Sequence, residues 1–209
     1  GTVNTLVLTL FSIGTGIGAL LCEKMSGRRV EIGLVPLGAF GLTAFGVDLY
    51  FARHGVAAVR GLDWLVFLQA AGSWRVALDL TLIGVFAGFY VVPLFAFVQA
   101  RAPREKLSRI IAGTNILNAL LIVLASGFGL GLGLLGFGAS QIFLAASLLN
   151  VLVAWYIFTL VPEFVMRFIT WVLVNTLYRV RVDGAAHLPE EGAALLVCNH
   201  VSFMDPLLL

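Results

Sequence analysis

Charge is what this sequence has least of. Asp, Glu, Lys and Arg make up 11% of its 209 residues, against the roughly 25% that a soluble globular domain carries because a water-facing surface needs them. A soluble enzyme filling the whole chain is therefore excluded. Disorder is excluded as well, since 60% of the residues are hydrophobic and the mean hydropathy is +1.03, far too apolar for a chain that stays solvated. Cysteine is scarce: Cys22 and Cys198 lie far apart in apolar runs, which reads as two buried thiols and not as a disulfide framework. With three histidines and no His/Cys cluster, no metal centre is expected. Nor is nucleic acid, because 13 cations against 11 carboxylates give a net charge of only +2.

What the chain has instead is long uncharged stretches. Residues 1–22, 32–47, 80–100 and 110–162 contain no Asp, Glu, Lys or Arg. About 20 apolar residues at 1.5 Å rise cross a hydrocarbon layer of about 30 Å, so these gaps predict a polytopic helical membrane protein. The first span runs from about Val3 to Cys22 and the second from about Glu31 to Ala52, with Asp48 in its last turn. Arg60 and Asp63 spoil a crossing in the stretch up to Trp74, whose Trp64, Phe67 and Trp74 suit an interfacial connection. The third span covers about Val76 to Gln99. The uncharged run 110–162 is 53 residues long, enough for a fourth and a fifth span. Gly127, Gly129, Gly131, Gly133, Gly136 and Gly138 mark the reversal between them, since glycine disfavours helix and permits a turn. No Lys-Ser or Lys-Thr follows that run, so it is no phosphate loop.

Cytoplasmic loops retain Lys and Arg. Loops 23–29 and 101–109 hold three and four cations, and the connections 53–75 and 127–138 hold three and none. The first pair is therefore expected on the cytoplasmic side, and the chain leaves the fifth span near Leu160 on that same side. Beyond it, Glu163, Arg167 and Thr170 fall on one helical face while Phe164, Val165, Phe168, Trp171 and Val172 cover the rest, the pattern of a helix lying in the membrane interface. Residues 178–184 then alternate like a short strand, a polar turn runs through His187, Pro189, Glu190, Glu191 and Gly192, and a second apolar strand covers Ala193 to Cys198. A soluble α/β domain is expected to begin here. The division is 1–161 for the membrane part, 162–178 for an interfacial linker helix and 179–209 for the start of the soluble domain. With Gly1 first, no basic n-region or cleavage site, and Leu207, Leu208 and Leu209 last, the sequence reads as a fragment of a longer polypeptide.

The second strand ends on Asn199-His200-Val201-Ser202-Phe203-Met204-Asp205. Acyl transfer to an alcohol needs a base that takes the hydroxyl proton as the oxygen attacks a thioester carbonyl, and histidine suits that task at neutral pH. A carboxylate five residues on, Asp205, can hold one ring nitrogen and stabilise the imidazolium that forms, while Asn199 and Ser202 support the turn. The plainer reading is a turn histidine with a capping aspartate, and that spacing arises by chance in about 7% of chains with this many His and Asp. Context weighs against chance. The strand ending in N-H-x-S-x-x-D resembles the first motif of the glycerolipid acyltransferases, the 1-acylglycerol-3-phosphate acyltransferase family, as do the lead-in residues Val182-Asp183-Gly184, Leu188-Pro189 and Glu191-Gly192. The resemblance implies His200 as catalytic base, Asp205 as its partner and an acyl-carrier protein or coenzyme A thioester as donor, with no bound cofactor. The family's phosphate-binding motif, around Phe-Pro-Glu-Gly-Thr, does not occur before Leu209, so these residues alone cannot catalyse.

The membrane part resembles the C-terminal half of a major facilitator superfamily transporter, particularly the bacterial lysophospholipid transporters. The likeness rests on Gly14-x-Gly16-x-Gly18, on Gly88-Phe89-Tyr90-Val91-Val92-Pro93-Leu94, and on Asn115-Ile116-Leu117-Asn118-Ala119-Leu120. It implies spans eight to twelve of twelve. The two resemblances together imply a bifunctional protein of the bacterial inner membrane that moves lysophospholipid inward and reacylates it; the alternative is a transporter carrying an acyltransferase remnant. A third reading, an acyltransferase merely anchored by its spans, stays open.

Polar residues inside the spans complete the candidates. Asn115 and Asn118 stand at i and i+3, and Ser140, Ser147 and Asn150 share one stripe of the fifth span. Such residues can line a transport cavity, but more often they tie helices together. Asp79, at the start of the third span, is expected to be an interfacial, solvated carboxylate, with head-group contact or ion coupling as the sharper alternative.

Overall fold

The computed structural model describes residues 2–26, 32–53, 64–70, 72–160 and 162–177. Seven α-helices occur among them: α1 (Thr2–Met25), α2 (Leu34–Arg53), α3 (Trp64–Gln69), α4 (Ser73–Arg101), α5 (Leu107–Leu134), α6 (Ala139–Leu160) and α7 (Pro162–Leu177), with one 3₁₀ turn at Arg104–Lys106 before α5. Five of them, α1, α2, α4, α5 and α6, are long and apolar enough to cross a membrane. The chain is a multi-pass helical membrane protein by that measure. Backbone hydrogen bonds are closed within each helix, as hydrocarbon demands, and apolar side chains such as Leu8, Phe40, Leu134 and Trp155 point outward, where lipid tails and not water can receive them.

The helix α4 is the centre of the bundle, packed between α1 on one side and α2 on the other; α2 in turn carries α6 and the N-terminal part of α7. Close approach is what builds the α1–α4 contact. Gly14 and Gly18 on α1 face Gly84 and Gly88 on α4, so both helices present small residues four apart. A Cβ on Gly18 would run into the Val85 carbonyl oxygen and one on Gly14 into that of Thr81, while a Cβ on Gly88 would stand 2.8 Å from the Ala19 nitrogen. Larger side chains fill the adjoining layers: Cys22, Leu34, Val85 and Phe89 form one buried cluster, and Leu49, Leu80 and Ile83 another. Phe86 stacks on Phe45 of α2 at 5.5 Å between ring centroids.

The reversal between α5 and α6 is shorter than the glycine run suggests. Helix α5 continues through Gly127, Gly129, Gly131 and Gly133, and only residues 135–138 turn. In a bilayer an interrupted helix leaves backbone groups unpaired, so the helix extends across glycines that would end it in water. Gly136 is the residue that stops it. At φ 90° it occupies a conformation that side chains resist, and the Phe137 N–H donates to Leu132 O while the Gly136 N–H donates to Gly133 O, both at 3.1 Å. That pair of bonds is a Schellman ending. Gln141 then accepts from the Gly138 N–H at 2.8 Å and caps the start of α6.

The interfacial helix expected after Pro162 corresponds in position to α7, on whose exposed face Arg167 and Glu163 pair at 3.0 Å. The strands expected at 178–184 and 193–198 lie outside the described residues.

Candidate functional site

The residues expected to carry acyl transfer, His200 and Asp205 with Asn199 and Ser202, all lie outside the described residues. The polar residues of the spans are described, and the structure treats each differently.

Asn150 projects from α6 into α2. Its amide nitrogen donates to the Ala39 carbonyl at 3.0 Å and to the Thr43 hydroxyl at 2.9 Å. One turn earlier, the buried Ser147 hydroxyl donates to Phe143 O within its own helix, and a Cβ on Gly46 of α2 would strike it. Asn150 therefore ties α6 to α2, the commoner role for such a residue. Asn115 is exposed and Asn118 half-buried on α5, a helix with no buried residue whose main partner is α6; these two are not brought together with Asn150 or Asp79. Replacing Asn150 with leucine removes both interhelical bonds and is expected to lower stability by about 1 kcal/mol, whereas Asn115→Leu should change it by less than about 0.5 kcal/mol. Reversible unfolding in mixed micelles measures both.

Asp79 corrects the expectation made for it. The helix begins at Ser73, three residues before the expected start of the span, which puts Asp79 about 9 Å along α4 with only 1% of its surface exposed. It faces the last turns of α2. There Asp48 receives Arg75, which stands one turn before Asp79 on α4: the Arg75 Nε donates to Asp48 Oδ2 at 3.1 Å, and its Nη2 to Oδ1. That fork joins α4 to α2 while remaining about half open to the surroundings. The Asp79 Oδ2 has no hydrogen-bond partner, nor does the fully buried hydroxyl of Ser73. Asp79 thus stands one turn along α4 from a guanidinium that is paired with Asp48. The sequence carries a signal for this cluster in the isolated charges 48, 75 and 79 at the facing ends of consecutive spans, but the spacing alone puts Arg75 in a loop and Asp79 at the interface.

Among the described residues, two cavities adjoin α7. The larger, about 680 Å³ and almost wholly apolar, lies between α2, α6 and α7, with Pro36, Phe40, Trp155, Phe158 and Phe168 among its walls. The smaller, about 220 Å³, carries Arg101, Glu163 and Arg167; Arg101 sits over the Phe97 ring at 4.8 Å. Neither cavity is lined by Asp79, Asn115, Asn118 or Asn150. Among the described residues no group of three or more His, Cys, Asp or Glu side chains is arranged to hold a metal ion. No family model, curated protein or solved structure matches this chain.

Proposed function

We propose that the chain is part of a bifunctional membrane protein in which a lysophospholipid transporter of the major facilitator type is joined to a glycerolipid acyltransferase. The observation that carries the reading is the sequence Asn199-His200-x-Ser202-x-x-Asp205 at the end of an apolar strand-like segment, following five membrane-length helices. A lysophospholipid carried to the cytoplasmic leaflet of a bacterial inner membrane meets the acyl thioesters of the cytosol there. The distribution of Lys and Arg among the loops supports the same side for the end of α6 and for the segment that follows it.

In this reading His200 takes the proton from the free hydroxyl of the lysophospholipid, whose oxygen attacks the thioester carbonyl of acyl-carrier protein or coenzyme A. The thiolate leaves and takes up a proton, and a diacyl phospholipid results. Asp205 holds the imidazole in the tautomer that presents a free nitrogen. The test is reconstitution of the full-length protein in liposomes with labelled lysophospholipid outside and acyl donor inside. Inward movement followed by appearance of labelled diacyl lipid is expected. Movement without acylation would leave a transporter alone, acylation without movement an anchored enzyme, and neither would sink the proposal.

A further inference from the structure

We propose that Asp48, Arg75 and Asp79 form a proton-binding site between α2 and α4, taking up and releasing one proton as part of the protein's working cycle. The charge count comes first. Asp48 and Asp79 stand near a single guanidinium, which bonds to Asp48, and this leaves one negative charge near the ends of two apolar spans unless a proton joins them. Ionisable groups at such depth are rare and mark ion or proton paths. The hydrogen-bond count agrees. The deeply buried Asp79 Oδ2 has no protein donor, which an ionised carboxylate oxygen in such a place needs.

A proton suits the site better than a metal ion: calcium takes about six to eight oxygen ligands and magnesium an octahedron of them, and two carboxyl groups beside a competing guanidinium do not provide these. Among the described residues, helix α1 has no ionisable side chain before Cys22, α3 has none, and α4 has none between Asp79 and Tyr90; on α2 the nearest are Tyr50 and Arg53, and α6 contributes only Tyr156.

The route is short. Asp48 and Arg75 are partly open to the surroundings while Asp79 is sealed behind them, so a proton reaches Asp79 through the Asp48 carboxyl. With the proton present, Arg75 pairs with Asp48 and the set is neutral. Once it leaves, Arg75 faces two negative carboxylates, one on each helix, and its hold on α2 is divided.

Infrared difference spectroscopy of the full-length protein between acid and alkaline pH tests this without reference to any lipid. A carboxylic-acid carbonyl band should disappear on the alkaline side. That band should be lost in Asp79→Asn, shifted in Asp48→Asn and unchanged in Glu163→Gln, which alters an exposed acid on α7. Should Asp79→Asn fail to fold, Asp79→Glu keeps an acid in place and should move the band. A band that is absent from the unaltered protein, or that stays the same in the Asp79 variants, overturns the proposal.

Discussion

Alanine in place of His200 is expected to lower reacylation of lysophospholipid by the full-length protein by about 10²- to 10⁴-fold, the usual worth of a positioned general base, while inward movement of the lipid continues unchanged. The separation of the two readouts is the point of the experiment. A histidine that only shapes a turn would affect neither activity, or both through loss of folding. Asp205→Asn should also slow acylation, since an amide can still bond to the ring but favours the wrong tautomer and cannot stabilise the imidazolium. Thioester consumption and diacyl lipid formation, followed together, show whether the donor is being hydrolysed instead. Acylation by His200→Ala at the parental rate would remove the enzyme from the proposed function.

The spans were legible because they rest on one physical requirement, the length of apolar chain that crosses hydrocarbon. All five membrane-length helices are built around the runs that lack charge, with Asp48, Arg75 and Asp79 near their ends, and the break between the third and fourth lies between Arg101 and Arg104. Local conformational preference was the poorer guide. Gly127 to Gly133 read as a turn on the propensities that hold in water, but they stay helical where no solvent can take up the freed backbone groups. The single glycine with φ 90°, Gly136, carries the reversal, and nothing in the run of six distinguishes it beforehand.

The polar residues show a second limit. Asn150 bonds to α2 because an amide in a packed span finds a neighbouring carbonyl or hydroxyl. The burial of Asp79 depends on two facts that no single span contains: where α4 begins, and which face of α2 it meets. A displacement of three residues at the helix start moves a side chain by most of a turn. Pairing Asp48 with Arg75 depends on contact between segments 27 residues apart, and such contacts follow from helix packing and not from periodicity.

Packing also decides the second large effect. Gly18→Leu is expected to destabilise the protein by about 3 kcal/mol, at the upper end of what overpacking costs, and to leave little folded material. The sequence Gly14-x-Gly16-x-Gly18 offers three candidates for close helix contact, and the structure separates them. Gly14 and Gly18 are buried against the α4 backbone, where an added Cβ meets the Thr81 and Val85 carbonyl oxygens. A carbonyl within a helix cannot rotate aside as a side chain can, so α1 must move away. Leaving takes it from Gly84 and Gly88 as well, and from the small-residue contact that substitutes for the hydrophobic drive absent between helices in lipid. Gly16 is exposed, with nothing within 4 Å of its Cβ position, so Gly16→Leu adds an apolar side chain where there is room for one and should change stability by less than about 0.5 kcal/mol. Thermal unfolding of the two variants in the same detergent tests the difference. Equal losses would mean that α1 does not pack on α4 through this face, and with it would go the arrangement that sets α4 against α2 and brings Arg75 to Asp48.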